Sequence, residues 1–166
     1  MAWDTTITSL VRYLINDLDS SNYTWTDTQI KKFILISTSL VDAQLAKWTS
    51  ITGGPYIIDF DNLTITPDPT TASSSAAFIT LIAINASSVM LRADYKRLTV
   101  QSGWKIIDDR STIDGTGMLS GAKQSYEDMH KAYLDAIEAF QVGNAPQALA
   151  ILSPYISPEH LPYGEI

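Results

Sequence analysis

Two histidines and a few loose groups of aspartates are the side chains here whose chemistry could go beyond packing. His130 lies among Glu127, Asp128 and Lys131, and His160 lies near the C-terminal end. A two-histidine zinc face needs the spacing His-x-x-x-His, which does not occur, so both histidines read as surface residues. With no cysteine there is neither a thiolate nucleophile nor a thiolate metal ligand, and no disulfide framework. No Gly-x-Ser-x-Gly elbow raises a serine for acyl transfer.

The segment DGTGMLSGAK, 114–123, imitates a phosphate loop. Its glycines, Gly115, Gly117 and Gly121, are one residue too far apart for G-x-G-x-x-G. Ala122 intervenes before Lys123, and no Ser or Thr follows, so the nucleotide P-loop fails too. Glycine for a tight turn into a helix explains the segment better. Asp59 and Asp61, and Asp108, Asp109 and Asp114, offer hard oxygen ligands for Ca²⁺ or Mg²⁺ but miss the spacing of a calcium loop. Turn and cap roles are commoner for such aspartates. No cofactor, metal or enzymatic activity is expected. A small metal-dependent hydrolase using the Asp108–Asp114 loop is the catalytic alternative.

Composition narrows the classes. The 166 residues suffice for one domain with a real core, and 45% of them are hydrophobic, so a globular chain is expected. The formal net charge is −7, whereas DNA-reading domains need a basic face to neutralise phosphate. Arg92, Lys96, Arg97 and Lys105 are the nearest approach to one, diluted by Asp94, and read as a solvated helix end. At 17% charged residues, the chain is also too dilute to mimic DNA, although an acidic helical interaction module is a further alternative. The opening MAWDTTITSL lacks a basic n-region, and the apolar runs look too short or too polar to span a bilayer. A soluble chain with no membrane partner is therefore expected.

Residues 4–18 place Ile7, Leu10, Val11, Leu14, Ile15 and Leu18 at helical spacing, with Asp4 as N-cap. A second helix is predicted over 27–48, with Ile30, Phe33, Ile34, Val41, Leu45 and Trp48 inward and Lys31, Lys32 and Asp42 outside. Its start carries a capping box, Thr26 with Gln29, and a hydrophobic staple, Trp25 with Ile30. Asp27 favours the same helix end through the dipole. These residues set the corner of a helical hairpin. Gly53, Gly54 and Pro55 stop the second helix. Tyr56–Phe60 and Leu63–Thr66 then predict a β-hairpin turning at Asp61-Asn62 and closed by Pro67 and Pro69. A third helix over 74–98 is dense in Ala and Ser, a composition that permits close approach. A long β-like connection, TVQSGWKIIDDRSTIDGTG, precedes a last helix over 118–141. That helix carries Met118, Ala122, Tyr126, Met129, Tyr133, Ala136, Ile137 and Phe140 at near-heptad spacing, with Gly143 as its stop.

The predicted architecture is mainly α. A four-helix bundle-like domain over 1–143 carries a small β-hairpin and a β-like long loop, followed by an extended tail over 144–166. The tail holds four of the seven prolines together with Leu149, Ile151, Leu152, Tyr155, Ile156, Leu161 and Tyr163. Either it docks on a partner, pre-extended by Pro154 and Pro158, or it folds back over its own core.

The order of these elements resembles the head-to-tail connector (adaptor, or head-completion) proteins of tailed bacteriophages. The matching segments are TWTDTQIKKFILISTSLVDAQL, LTITPDP followed by AAFITLIAINASSVML, IIDDRSTID, and YEDMHKAYLDAIEAF. They span most of residues 4–141; the tail lies outside the match. The resemblance implies a virion protein of the neck, assembled in the host cytoplasm. Such proteins form a ring, typically dodecameric, beneath the portal, extending the DNA channel and receiving a tail or neck-completion protein. Genomic DNA would pass through without sequence-specific binding, which an acidic channel favours. The small residues of helix 74–98 would pack against neighbouring subunits. Trp104, Ile106, Ile107, Asp109, Arg110 and Ile113 would serve inter-subunit contact. Leu149, Ile151, Leu152, Pro154, Tyr155, Ile156, Pro158, Leu161 and Tyr163 would dock on the portal.

Overall fold

The computed structural model describes residues 3–71, 76–101, 106–108, 111–113 and 116–143. Helix α1 (Trp3–Leu14) is followed by α2 (Asp27–Gln44), a 3₁₀ turn (Ala46–Trp48) and the single turn α3 (Thr49–Thr52). A hairpin of β1 (Ile57–Asp59) and β2 (Thr64–Thr66) leads to α4 (Ala76–Gln101). A second hairpin, β3 (Ile106–Asp108) and β4 (Ser111–Ile113), separates α4 from α5 (Thr116–Gly143). The fold is mainly helical, as the periodicity predicts, with α1, α2, α4 and α5 as its four principal helices.

Helix α1 starts one residue before Asp4 and stops four residues short of Leu18. Asp4 therefore lies in the first turn rather than at the cap, where its carboxylate accepts from the Thr5 backbone N–H. The stop is local chemistry. Asn16 adopts φ 57°, its N–H donates to the Tyr13 carbonyl, and the Asp17 N–H donates to the Arg12 carbonyl. Asparagine tolerates this left-handed position better than other non-glycine residues, and the paired bonds satisfy carbonyls the helix end would orphan. Leu18 lies beyond the stop, exposed.

The capping box of α2 forms as predicted: Gln29 N–H donates to Thr26 Oγ1 at 3.3 Å, and Thr26 N–H donates to Gln29 Oε1 at 2.9 Å. The β1–β2 ladder pairs Ile57 with Thr66, Ile58 with Ile65 and Asp59 with Thr64. Its connection is thus Phe60–Leu63, longer than the predicted two residues, with Leu63 at φ 53°. Asp59 organises it, accepting from the Asp61 and Asn62 backbone N–H groups and from Asn62 Nδ2. Those bonds to the ionised form hold its carboxyl below the usual range. Asp59 is a turn residue.

Helix α4 is the centre, packing against α1, α2 and α5. Phe78, Leu81, Ile82, Ala83, Ala86, Ser87, Ser88 and Met90 are all buried, and Tyr56 stacks on Phe78 at 5.1 Å. A helix buried on several sides shows no single apolar stripe. Ala83, Ala86, Ser87 and Ser88 pack inside the subunit, while Ala76 and Ala77 at the start of the helix stay exposed. The span Ala76–Val100 is also long and apolar enough to cross a bilayer, contrary to the expectation from run length; half of its most apolar 18-residue stretch is buried in this fold.

The connection between α4 and α5 is a second antiparallel hairpin rather than an irregular loop, pairing Ile106 with Ile113, Ile107 with Thr112 and Asp108 with Ser111. Helix α5 has Tyr133 and Phe140 buried, with Ala122, Tyr126, Met129, Ala136 and Ile137 partly so, the spacing the sequence predicts. Of the glycines in the phosphate-loop imitation, Gly117 and Gly121 are helical, and Gly115 lies outside the described residues. A Cβ added at Gly121 would meet nothing within 4 Å. Gly121→Ala should therefore stabilise the protein by about 0.5–1 kcal/mol, raising Tm by roughly 1–4 °C in a thermal melt.

Candidate functional site

Among the described residues, a dense polar cluster forms at the corner joining α1 to α2, and it is built around a residue that periodicity passes over. Arg12 is 6% exposed on the flank of the α1 apolar stripe. Its guanidinium donates to Asp17 Oδ2 and Asp27 Oδ1, both at 2.6 Å, and to the Trp25 carbonyl at 3.0 Å. The Tyr23 ring covers it at 3.5 Å, a cation–π contact. Asp17 in turn accepts from the Thr24 and Trp25 backbone N–H groups. One planar fork thereby ties the end of α1, the connecting loop and the first turn of α2. Lys31 adds a second clasp, to Asp4 at 3.0 Å, which holds the Asp4 carboxyl below its ordinary range.

Thr26 and Gln29 meet in the capping box at this corner, between Trp25 and Ile30 in the chain. Ile30 is buried, and Trp25 packs partly buried against the same core, its ring edge-on to Phe33 at 5.7 Å. The corner is thus set jointly by the capping box, the tryptophan and Arg12. A single arginine beside an apolar stripe, followed by Asp17, Asp19 and Asp27, was the available signal. Asp42 also departs from its predicted outward place: Oδ2 accepts from the Tyr56 N–H at 3.4 Å, and Oδ1 is buried beside Gly54. A Cβ at Gly54 would stand 2.6 Å from that oxygen.

On the opposite side, Tyr133 of α5 donates its hydroxyl to Gln44 Oε1 of α2. Burial of the phenol disfavours its ionised form and pushes its pKa up to about 12. Beyond this level α4 and α5 continue as a two-helix arm. Among residues 91–100 and 119–132 none is buried. The arm carries Arg92 above the Tyr126 ring at 6.0 Å, Tyr126 stacked on His130, and the Asp94–Arg97 pair. Where α1 ends against the arm, Leu14, Ile15, Leu91, Met129 and Ala132 line a largely apolar groove with about 390 Å³ of room, rimmed by Asn16, Ser125 and Asp128.

Ile106, Ile107 and Ile113 fall in the β3–β4 ladder at the end of the arm, while Trp104, Asp109 and Arg110 lie outside the described residues. So do Asp114, His160 and the tail residues Leu149, Ile151, Leu152, Pro154, Tyr155, Ile156, Pro158, Leu161 and Tyr163. Glu127 and His130 stand at Glu-x-x-His spacing on α5, which corrects the expectation that the chain holds no such pair, and both are exposed. Among the described residues, no group of three or more His, Asp or Glu side chains is placed to hold a metal. No protein-family model, curated protein or solved structure matches the chain.

Two outcomes follow from this geometry. Arg12→Ala strands Asp17 as an unpaired buried charge and should cost about 3–5 kcal/mol in chemical denaturation. For Tyr133, the folded pKa lies above the unfolded value of about 10, so its contribution is complete below pH 10 and is lost as pH rises towards 12. Tyr133→Phe should remove that alkaline fall in Tm and cost about 1 kcal/mol at neutral pH through the lost hydrogen bond.

Proposed function

We propose that this protein is a structural virion component, the head-to-tail adaptor of a tailed bacteriophage. In this reading it forms a homo-oligomeric, dodecameric ring under the portal, extends the DNA channel and presents the platform for a tail or neck-completion protein. The observation that carries the reading is the arm. In a two-helix projection tipped by the β3–β4 hairpin, none of residues 91–100 and 119–132 is buried among the described residues, as suits an element meant to lie between copies. A ring is closed by heterologous contacts, one face of each copy meeting a different face of the next. Such closure requires every copy to hold the same angle between its parts, and the Arg12 corner supplies that rigidity. The order of elements, from the tryptophan-capped hairpin through β1–β2 and α4 to the last helix, agrees with the connector resemblance. The net charge of −7 suits a channel that must not hold phosphate. The apolar tail residues, Leu149 to Tyr163, are the segment assigned to the portal.

Negative-stain images of the protein mixed with the portal protein of the same phage test this reading. Closed rings on the portal are expected; monomers that ignore it would overturn the assignment. Deleting 144–166 should abolish portal attachment while leaving far-UV helix content unchanged.

A further inference from the structure

The groove between the end of α1 and the arm is walled by apolar side chains from three helices of the same chain and the residue that follows α1. We infer that the apolar segment of the C-terminal tail, around Leu149–Ile156, docks into the groove of its own subunit when no partner is bound. Three observations meet here. The walls, Leu14, Ile15, Leu91 and Met129, are half-exposed apolar side chains that gain by being covered. The chain leaves α5 at Gly143, on the helix face that leads back to the groove: Gly143, Ala139, Ala136, Ala132 and Met129 follow one another at alternating spacings of four and three residues. That lane is small-sided, so a strand of chain can lie close to it.

The reach fits as well. Gly143 to Ala132 spans about 17 Å of helix at ~1.5 Å per residue. Residues 144–149, NAPQAL, cover about 19 Å at the ~3.1 Å per residue of an extended proline-containing segment. Leu149, Ile151 and Leu152 then arrive at the groove. Residues 144–158 carry no charged side chain in a chain of net charge −7, so Asp128 and Asp94 beside the groove repel nothing there. A tethered segment also stands at millimolar effective concentration, which favours its own groove over that of a free second copy. The inference goes beyond the adaptor reading and does not need it. If both hold, the portal must draw the tail out of this groove, which keeps the adhesive segment covered until the partner arrives.

The chain has no cysteine, so engineered pairs report cleanly. Full-length variants would combine Met129→Cys with a cysteine at position 149, 151, 152 or 156, and be oxidised at low micromolar concentration without portal. The control pairs Glu138→Cys with the same tail positions. Cis docking predicts a disulfide at monomer mass for at least one groove pair and for no control pair. Disulfides only between copies, or equal yields in both sets, would overturn the inference. So would the absence of any disulfide in variants with normal circular dichroism. As a second readout, Leu91→Lys should speed chymotryptic cleavage after Tyr155 about tenfold, the ratio produced by a loss of about 1.4 kcal/mol. An unchanged rate would count against docking. Because both experiments use the isolated protein, their failure leaves the adaptor reading to be judged by the portal images alone.

Discussion

The first half of helix α4 is enclosed by α1, α2 and α5, and that enclosure places the four principal helices. The helix could not be enclosed with large side chains throughout. Ala83, Ala86, Ser87 and Ser88 let neighbouring backbones close in, while Phe78, Leu81, Ile82 and Met90 fill the remaining volume. The serines enter at modest cost: Ser87 donates to the Ala83 carbonyl, one turn back, so its hydroxyl is satisfied by its own helix. Once α4 is central, its length decides the outline. Its last turns run on past the α1–α2 corner beside α5, where none of residues 91–100 is buried, and the arm results.

The corner depends on a different force. Burying a guanidinium is costly unless its donors are used, and Arg12 uses them on two carboxylates and a carbonyl drawn from the loop and the first turn of α2. Such a cluster adds little net stability compared with well-packed apolar residues, but it tolerates few alternative geometries. Its value lies in orientation. A subunit destined for a closed assembly needs that more than it needs additional stability, and this links the Arg12 cluster to the proposed ring.

The surfaces left over are unequal. The flank of α2 shows one exposed i,i+4 pair, Ile36 and Leu40, a small apolar area that is ordinary for a folded chain. The groove at the root of the arm is different, because apolar walls from α1, α4 and α5 converge on it and a lane of small residues leads there from the end of the described chain. An adaptor whose adhesive segment is stored in such a groove would assemble in response to its partner rather than to its own concentration.

Local chemistry was legible in the sequence. The Thr26–Gln29 capping box, the inward set of α5 from Ala122 to Phe140, and strands at Ile57–Asp59 and Thr64–Thr66 all follow from neighbours within a few residues. The early stop of α1 at Asn16 was equally local, and was missed because the apolar spacing runs on to Leu18 while the turn chemistry ends the helix first. Other features belong to the folded state alone. Arg12 meets Asp27, Tyr133 meets Gln44, and Asp42 turns in beneath Gly54, each across a separation that no periodicity encodes. The small residues of α4 announced close packing but not against what; the assembled helices place Ala83, Ala86, Ser87 and Ser88 against their own subunit. Periodicity reports which face of an element is apolar, since that depends on side-chain spacing along one axis. The choice of partner for that face depends on how several axes cross, and that is fixed only when the chain has folded.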